Sequence, residues 1–278
     1  MCPPRRLGAH EYVGTLTGVN GEWQAPAVVA RRCLVTGAGR GIGAAVARRL
    51  SAAGHDVALT ARSGDELAAL AADLPGRSLI VAADLTDPAA AAAVVSRVED
   101  RWGPVEVLVL NAGVATSAPL SRTTDEDWAR TLEVNLTAPF RLLRRALPAM
   151  VEQEWGRVVA VASIAAKRGD PYVSAYTASK HGLLGLVRSA AAEVAGKGVT
   201  VNAVCPAYVD TPMTDRTVAT ISASTGRSEA DARAALERRQ PVGRLITPDE
   251  VADAVLLCVA SGAITGQGIN VDGGTVQS

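Results

Sequence analysis

From Arg31 onward the chain alternates short Val/Leu-rich runs with longer segments in which Ala, Leu and Arg recur at helical period. Such continuous apolar runs are buried on both faces in a parallel sheet, and parallel neighbours need a helical crossover between them. The runs Arg32–Thr36, Asp56–Ala61, Ser78–Ala83, Val105–Leu110, Arg157–Ala162, Thr200–Cys205 and Gly268–Val271 therefore predict seven strands. The expected class is α/β: a single doubly wound, seven-stranded parallel sheet with helices on both faces.

Helix starts between the runs carry capping chemistry. Ser63 stands three residues before Glu66, and Thr247 is followed by Pro248 and then Glu250, so side-chain oxygens and amides satisfy each other at both starts. Asp87 and Pro88 introduce a helix through the Ala-rich stretch Ala89 to Val95. Residues 1–30 have no period and are punctuated by Pro3, Pro4, Gly14, Gly18, Asn20, Gly21 and Pro26. They read as an irregular N-terminal extension with a hairpin at Asn20-Gly21, ahead of an α/β domain over residues 31–278.

Composition narrows the partners. Among 278 residues, 28 Lys+Arg balance 28 Asp+Glu and there are three histidines, which leaves no basic footprint for nucleic acid. Hydrophobic residues make up 48% of the chain, yet no run approaches the roughly 18 apolar residues that cross a bilayer, so no membrane association is expected. The first residues hold an arginine pair with no apolar stretch after it; they do not read as a secretory signal, and a cytoplasmic protein is expected. Cys2, Cys33, Cys205 and Cys258 stand far apart, which indicates neither a disulfide framework nor a metal site.

The first strand runs into Thr36-Gly37-Ala38-Gly39-Arg40-Gly41-Ile42-Gly43, and a helix over Ala44 to Ala53 follows. Glycines suit this turn because its dihedrals are unusual. A pyrophosphate also reaches the backbone amides and the helix N-terminus only where no Cβ intervenes. Strand, glycine turn and helix together predict a Rossmann-type dinucleotide site. The second strand bears on which dinucleotide. An Asp or Glu commonly grips a free ribose 2′-hydroxyl there, but Val57-Ala58-Leu59-Thr60 ends in Ala61-Arg62. A guanidinium at Arg62, joined by Arg40, pairs with a 2′-phosphate, so NADP(H) is favoured and NAD(H) is the alternative. The plain alternative is that both arginines are simply solvated.

The fifth strand ends at Ser163, and Tyr176-Thr177-Ala178-Ser179-Lys180 then opens a helical segment. Tyr176 and Lys180, four residues apart, share a helix face, so an ammonium can lie close to a phenol. Bringing a phenol from about pH 10 to about 7 takes roughly 4 kcal/mol of phenolate stabilisation, and a neighbouring cation has the right sign. Ser163, at a carboxyl end of the sheet, is placed to hold a substrate oxygen while Tyr176 passes it a proton.

Taken together these residues resemble the short-chain dehydrogenase/reductase family, across nearly all of residues 31–278. The likeness extends to Asp84-Leu85, at the family's adenine contact, to Asn111-Ala112-Gly113 after strand four, and to Asn135 at the fourth catalytic position. It implies hydride transfer between a nicotinamide and a carbonyl carbon, or the reverse, with Asn135, Ser163, Tyr176 and Lys180 as the catalytic set. It implies further that Asn135 holds a water linking Lys180 to solvent and that Lys180 binds the nicotinamide ribose. Within Pro206 to Met213, Thr211 would touch the nicotinamide carboxamide. The implied cofactor contacts are Gly37, Arg40, Gly41, Ile42, Gly43, Arg62, Asp84, Leu85, Asn111, Gly113, Tyr176, Lys180, Val209 and Thr211. A homotetramer is also implied. Two positions depart from the pattern: Leu110 replaces a common Asn, which is harmless if Leu110 is core, and Ala207 replaces a glycine and stiffens the following loop.

The C-terminal half, in Lys180-His181-Gly182, Val201 to Met213 and Gly262 to Gly274, is most similar to bacterial 3-oxoacyl reductases, polyketide ketoreductases and 3-hydroxybutyrate dehydrogenases. Hydroxybutyrate dehydrogenases usually grip a small carboxylate with polar side chains at three places that here hold Ala115, Ala165 and Val173, and apolar residues cannot balance a buried carboxylate. The expectation is an NADP(H)-dependent reductase of a small-molecule ketone, either a 3-oxoacyl thioester or a polyketide-like ketone. An NAD-dependent hydroxybutyrate-type, secondary-alcohol or steroid dehydrogenase is the alternative. A non-catalytic binding module would not need the full catalytic set. A substrate lid is expected over about 213–241, with Ser228 capping a helix Glu229 to Arg239. Arg238, Arg239 and Arg244 face either a phosphopantetheine or CoA, or solvent. Tyr172 has no lysine four residues on, which points to packing or substrate contact. His181 projects about 100° away from Lys180, Trp102, Trp128 and Trp155 read as packing, and Asp210 as a solvated acid.

Overall fold

The structure, a computed structural model, describes residues 29–277. The hairpin expected at Asn20-Gly21 lies outside the described residues. Strands β1 (Arg32–Thr36), β2 (Asp56–Thr60), β3 (Ser78–Ile80), β4 (Val107–Leu110), β5 (Gly156–Val161), β6 (Val199–Pro206) and β7 (Gly268–Val271) form one sheet. Its order is β3-β2-β1-β4-β5-β6-β7, and every neighbouring pair is parallel. Helices α1 (Gly41–Ala52), α2 (Gly64–Ala72), α3 (Ala90–Trp102), α4 (Asp125–Leu132), α5 (Ala138–Glu152), α6 (Ser174–Val194), α7 (Pro212–Thr225), α8 (Glu229–Arg238) and α9 (Pro248–Ala260) connect and cover it.

Alternation of side chains along each strand divides the core. Leu34, Ala58, Leu108 and Val158 pack with α3, α5 and α6 on one face, whereas Val35, Val57, Val107 and Val159 pack with α1, α2 and α9 on the other. Both faces are dry, and full burial of each such side chain contributes about 1.5–3 kcal/mol. Leu110, where the family commonly has Asn, is one of these core residues. The edge strand β3 is shorter than its apolar run, but the amides of Val81 and Ala83 still donate to Leu59 and Ala61 at 2.9 and 3.0 Å, so the ladder outlasts the regular strand.

At α9 the expected capping box is complete: Thr247 Oγ1 accepts from the Glu250 amide, and Glu250 Oε2 accepts from the Thr247 amide at 2.8 Å. At α2 only half of it forms. Ser63 Oγ accepts from the Glu66 amide at 3.2 Å, but the Glu66 carboxylate turns elsewhere. Helix α1 starts at Gly41 rather than Ala44, so its first turn is built from the glycine loop itself and leaves amides free for an anion. Helices α7 and α8 stand outside the sheet and share a small core of Val218, Ala232, Leu236 and Leu245. Trp102 and Trp155 pack against the two cores as expected, whereas Trp128 is left 40% exposed.

Candidate active site

The strand order reverses between β1 and β4, and a cavity of about 1800 Å³ opens at their carboxyl ends. Thr36, at the end of β1, ties that strand to β4. Its Oγ1 donates to Val109 O at 3.2 Å and accepts from the amides of Asn111 and Ala112 at 2.9 and 3.0 Å. The Asn111 side-chain amide then donates to the carbonyls of Thr36 and Gly37 at 2.9 and 3.1 Å, so this residue holds the glycine loop in place as well as lining the cavity. Gly43 stands behind the loop, where a Cβ would lie 2.2 Å from Gly37 O. Gly41 has a φ of +55° and faces Thr211, whose Cγ2 would lie 3.1 Å from a Cβ there.

At the ribose end, Arg40 and Arg62 are both exposed and line the cavity. Arg40 already has a partner: its Nη1 lies 3.3 Å from Glu66 Oε1. Asp84 accepts from the Thr86 amide and hydroxyl, bonds that hold its carboxyl below the usual range, with Arg62 and Arg130 adding to the effect. Leu85 beside it is buried and lines the same wall.

Deeper in, Ser163, Tyr176 and Lys180 share the cavity with Gly113, Val209, Thr211 and Ile42. Lys180 is buried; its Nζ donates to Val161 O at 2.8 Å and lies 5.7 Å from the centre of the Tyr176 ring. Ser163 Oγ accepts from the Ala165 amide at 3.1 Å, and its hydroxyl favours the ionised form of the Tyr176 phenol. The electrostatics differ from the simple expectation of a phenol primed by its lysine. Burial pushes the Tyr176 phenol above its ordinary value, an effect the Ser163 hydrogen bond only partly offsets. Burial also pulls Lys180 down to about 8. Desolvation penalises the charged form of each group and is the largest influence on both.

Asn135 does not reach the cavity. It sits in a wide, π-helical turn, Glu133–Thr137, fully buried. Its Oδ1 accepts from the Val114 amide at 2.8 Å, and its Nδ2 donates to Val114 O at 2.9 Å and Ser179 Oγ at 3.0 Å. Both Nδ2 hydrogens are thus engaged by protein groups, while Oδ1 accepts one bond from the protein and keeps a second acceptor site.

A family model described as short chain dehydrogenase matches residues 31–222. The chain belongs to the short-chain dehydrogenases. A D-beta-hydroxybutyrate dehydrogenase of Rhizobium meliloti is 35% identical over 252 residues, covering 88% of this chain and 98% of that protein. A putative ketoacyl reductase of the granaticin polyketide synthase of Streptomyces violaceoruber is 38% identical over 248 residues, covering 87% and 91%. Among solved structures, an actinorhodin polyketide ketoreductase variant with NADPH superposes with a TM-score of 0.86 at 36% identity, covering 88% of this chain and 97% of that one. This short-chain dehydrogenase is accordingly an oxidoreductase.

Several cavity residues of this short-chain dehydrogenase carry no motif. Tyr172 has a φ of +68°, is 62% exposed and lines the cavity, so packing is not its role. Its carbonyl accepts from the Ala118 amide at 2.9 Å, which joins the loops before α4 and α6. Arg239 pairs with Asp170 at 2.8 Å across the cavity mouth, a contact between residues far apart in sequence that no local pattern announces. Arg244 is held by Glu250 instead of facing the cavity, Asp210 is paired with Arg233 at 2.7 Å, and the exposed His181 bonds Thr177 O at 3.0 Å.

Proposed function

We propose that this short-chain dehydrogenase is an NADP(H)-dependent reductase of a 3-oxoacyl thioester or polyketide-like ketone. The observation that carries the reading is that one cavity gathers the glycine loop, two arginines and the Ser163, Tyr176 and Lys180 side chains. The residues fit a nicotinamide dinucleotide: α1 offers uncapped amides, and Gly43 is packed so tightly that a Cβ would displace the loop. The bound nicotinamide supplies hydride. The loop from Gly37 to Gly43, with Ile42, holds the pyrophosphate; Arg40 and Arg62 hold the 2′-phosphate; Asp84 and Leu85 hold the adenine. Asn111 and Gly113 shape the middle of the groove, Lys180 holds the nicotinamide ribose, and Val209 and Thr211 meet the carboxamide.

Ser163 orients the substrate oxygen and Tyr176 delivers the proton. The raised phenol keeps that proton available at neutral pH, and the Lys180 ammonium, still the favoured form there with a pKa of about 8, would stabilise the phenolate left behind. Asn135 acts as a positioning residue, fixing Val114 and Ser179 around the lysine. The apolar lining at Ala115, Ala165 and Val173 supports a ketone without a free carboxylate beside it. Residues 213–241 serve as the lid, since Met213, Thr217 and Ile221 face the cavity from α7. Family likeness supports a cytoplasmic homotetramer.

The test is a fluorescence titration with NADPH and NADH, followed by turnover of an acetoacetyl thioester. Preferential NADPH binding with thioester reduction is expected. Tight NADH binding, weak NADPH binding and oxidation of 3-hydroxybutyrate would overturn the proposal in favour of the hydroxybutyrate reading.

A further inference from the structure

Two helices of this chain begin with the same hydroxyl-x-x-Glu pattern, and the two glutamates do different things. Glu250 turns back to cap its own helix, 2.8 Å from the Thr247 amide. Glu66 instead reaches into the dinucleotide cavity, which both it and Arg40 line. Its Oε1 lies 3.3 Å from Arg40 Nη1, and its Oε2 occupies the space over Gly39, 2.7 Å from where a Cβ would stand. The glutamate thus forgoes a local cap for a guanidinium of the glycine loop beside it.

We propose that Glu66 is a specificity-determining residue, competing with the 2′-phosphate for Arg40 and so limiting the preference for NADP(H) over NAD(H). The inference rests on the assignment of Arg40 and Arg62 to the 2′-phosphate. At that end of the cavity Arg40 and Arg62 stand with Glu66 and Asp84, and Asp84 is under the influence of both Arg62 and Arg130. A free 2′-hydroxyl leaves the Arg40–Glu66 pair intact and finds a carboxylate to accept its hydrogen bond. A 2′-phosphate must first separate Arg40 from Glu66 and then sit beside the released carboxylate. The Arg40–Glu66 pair is about half exposed, 53% and 40% for the two side chains, so solvent screens it and the effect is moderate.

The experiment uses the full chain as wild type, Glu66→Gln, Glu66→Ser, Arg40→Gln and the Glu66→Gln/Arg40→Gln pair. Dissociation constants are measured calorimetrically for NADPH, NADH and adenosine 2′,5′-bisphosphate, which carries the 2′-phosphate without a nicotinamide. Removing the carboxylate is expected to raise the NADPH-over-NADH preference about fivefold, to tighten the bisphosphate similarly, and to do neither in the Arg40→Gln background. An unchanged or lower preference in both Glu66 variants, or an equal gain without Arg40, would overturn the inference. A general packing defect weakens all three ligands together and leaves the ratio where it was, which also counts against it. A wild type that prefers NADH speaks to the cofactor assignment alone, because the Glu66 effect is read as a change in the ratio.

Discussion

Lys180 donates its Nζ to the carbonyl of Val161 at 2.8 Å, which anchors α6 to the end of β5. The ammonium is held there at a cost, because burial brings its pKa from 10.5 to about 8. Between those two values the unfolded chain binds more protons than the folded one, so this group makes stability rise with pH across that window and is a burden below it. The rise amounts to about 3 kcal/mol. Buried acids with raised pKa values, such as Tyr176 and Cys205, act oppositely at high pH. The quantity to measure is therefore the stability difference between wild type and Lys180→Met by urea unfolding from pH 7 to 10. Wild type should gain on the variant as pH increases, and parallel curves would refute the buried-charge account.

Tyr176→Phe removes the proton donor and keeps the ring. Turnover with an acetoacetyl thioester should fall by about 10²- to 10⁴-fold. NADPH titration should change little, because the loop, Arg40 and Arg62 are untouched. A variant reducing the ketone near the wild-type rate would remove Tyr176 from its proposed role.

Gly43→Ala places a methyl group 2.2 Å from Gly37 O. Backbone must move to admit it, at a cost of about 1–3 kcal/mol, and dinucleotide affinity should drop with the displaced loop. Gly64→Ala, which meets nothing within 4 Å, is the matched control and should leave the melting temperature nearly unchanged. Equal melting shifts for the two variants would contradict the packing argument.

The sheet was legible because strands buried on both faces are mostly apolar, and β2, β5 and β6 are buried at every position and β1 at every position but Arg32. Ser163, Tyr176 and Lys180 were legible for a related reason: each is tied by short-range spacing to a strand end or a helix face. Helix α7 was not, since Pro212–Thr225 is rich in Thr and Ser and owes its form to packing of Val218 against α8. The Arg40–Glu66 pair was hidden because, of the capping pattern Glu66 shares with Glu250, only the Ser63 half is made locally, while the carboxylate meets the glycine loop. The buried position of Asn135 was equally hidden, since a wide turn inside a continuous helical stretch leaves the apolar period almost undisturbed.

Asp170 and Arg239 join the loop before Tyr172 to the end of α8, and this pair holds the proposed lid against the catalytic half of the cavity. Arg233 also ties the lid to Asp210 at 2.7 Å, and Gln240 Nε2 donates to Tyr208 O at 3.2 Å, so the pair acts beside other contacts. In α7 only Thr214 and Val218 are buried, and the hydroxyls of Thr217, Thr220 and Thr225 bond back to carbonyls one turn earlier, a habit that weakens helices. Asp170 also receives Arg168 at 3.4 Å, and the Tyr208 ring lies 5.8 Å from the Arg239 guanidinium, so the contact is partly sheltered. Asp170→Asn should cost under about 1 kcal/mol of global stability, as a partly exposed pair does. Its local effect should be larger: amide exchange in α7 and α8 should accelerate several-fold while the sheet stays protected, and KM for a bulky thioester should rise more than kcat changes. High salt should move the wild type toward the variant by screening the same pair. Unchanged exchange in α7 and α8 would mean that Val218, Leu236 and Leu245 hold the lid by themselves.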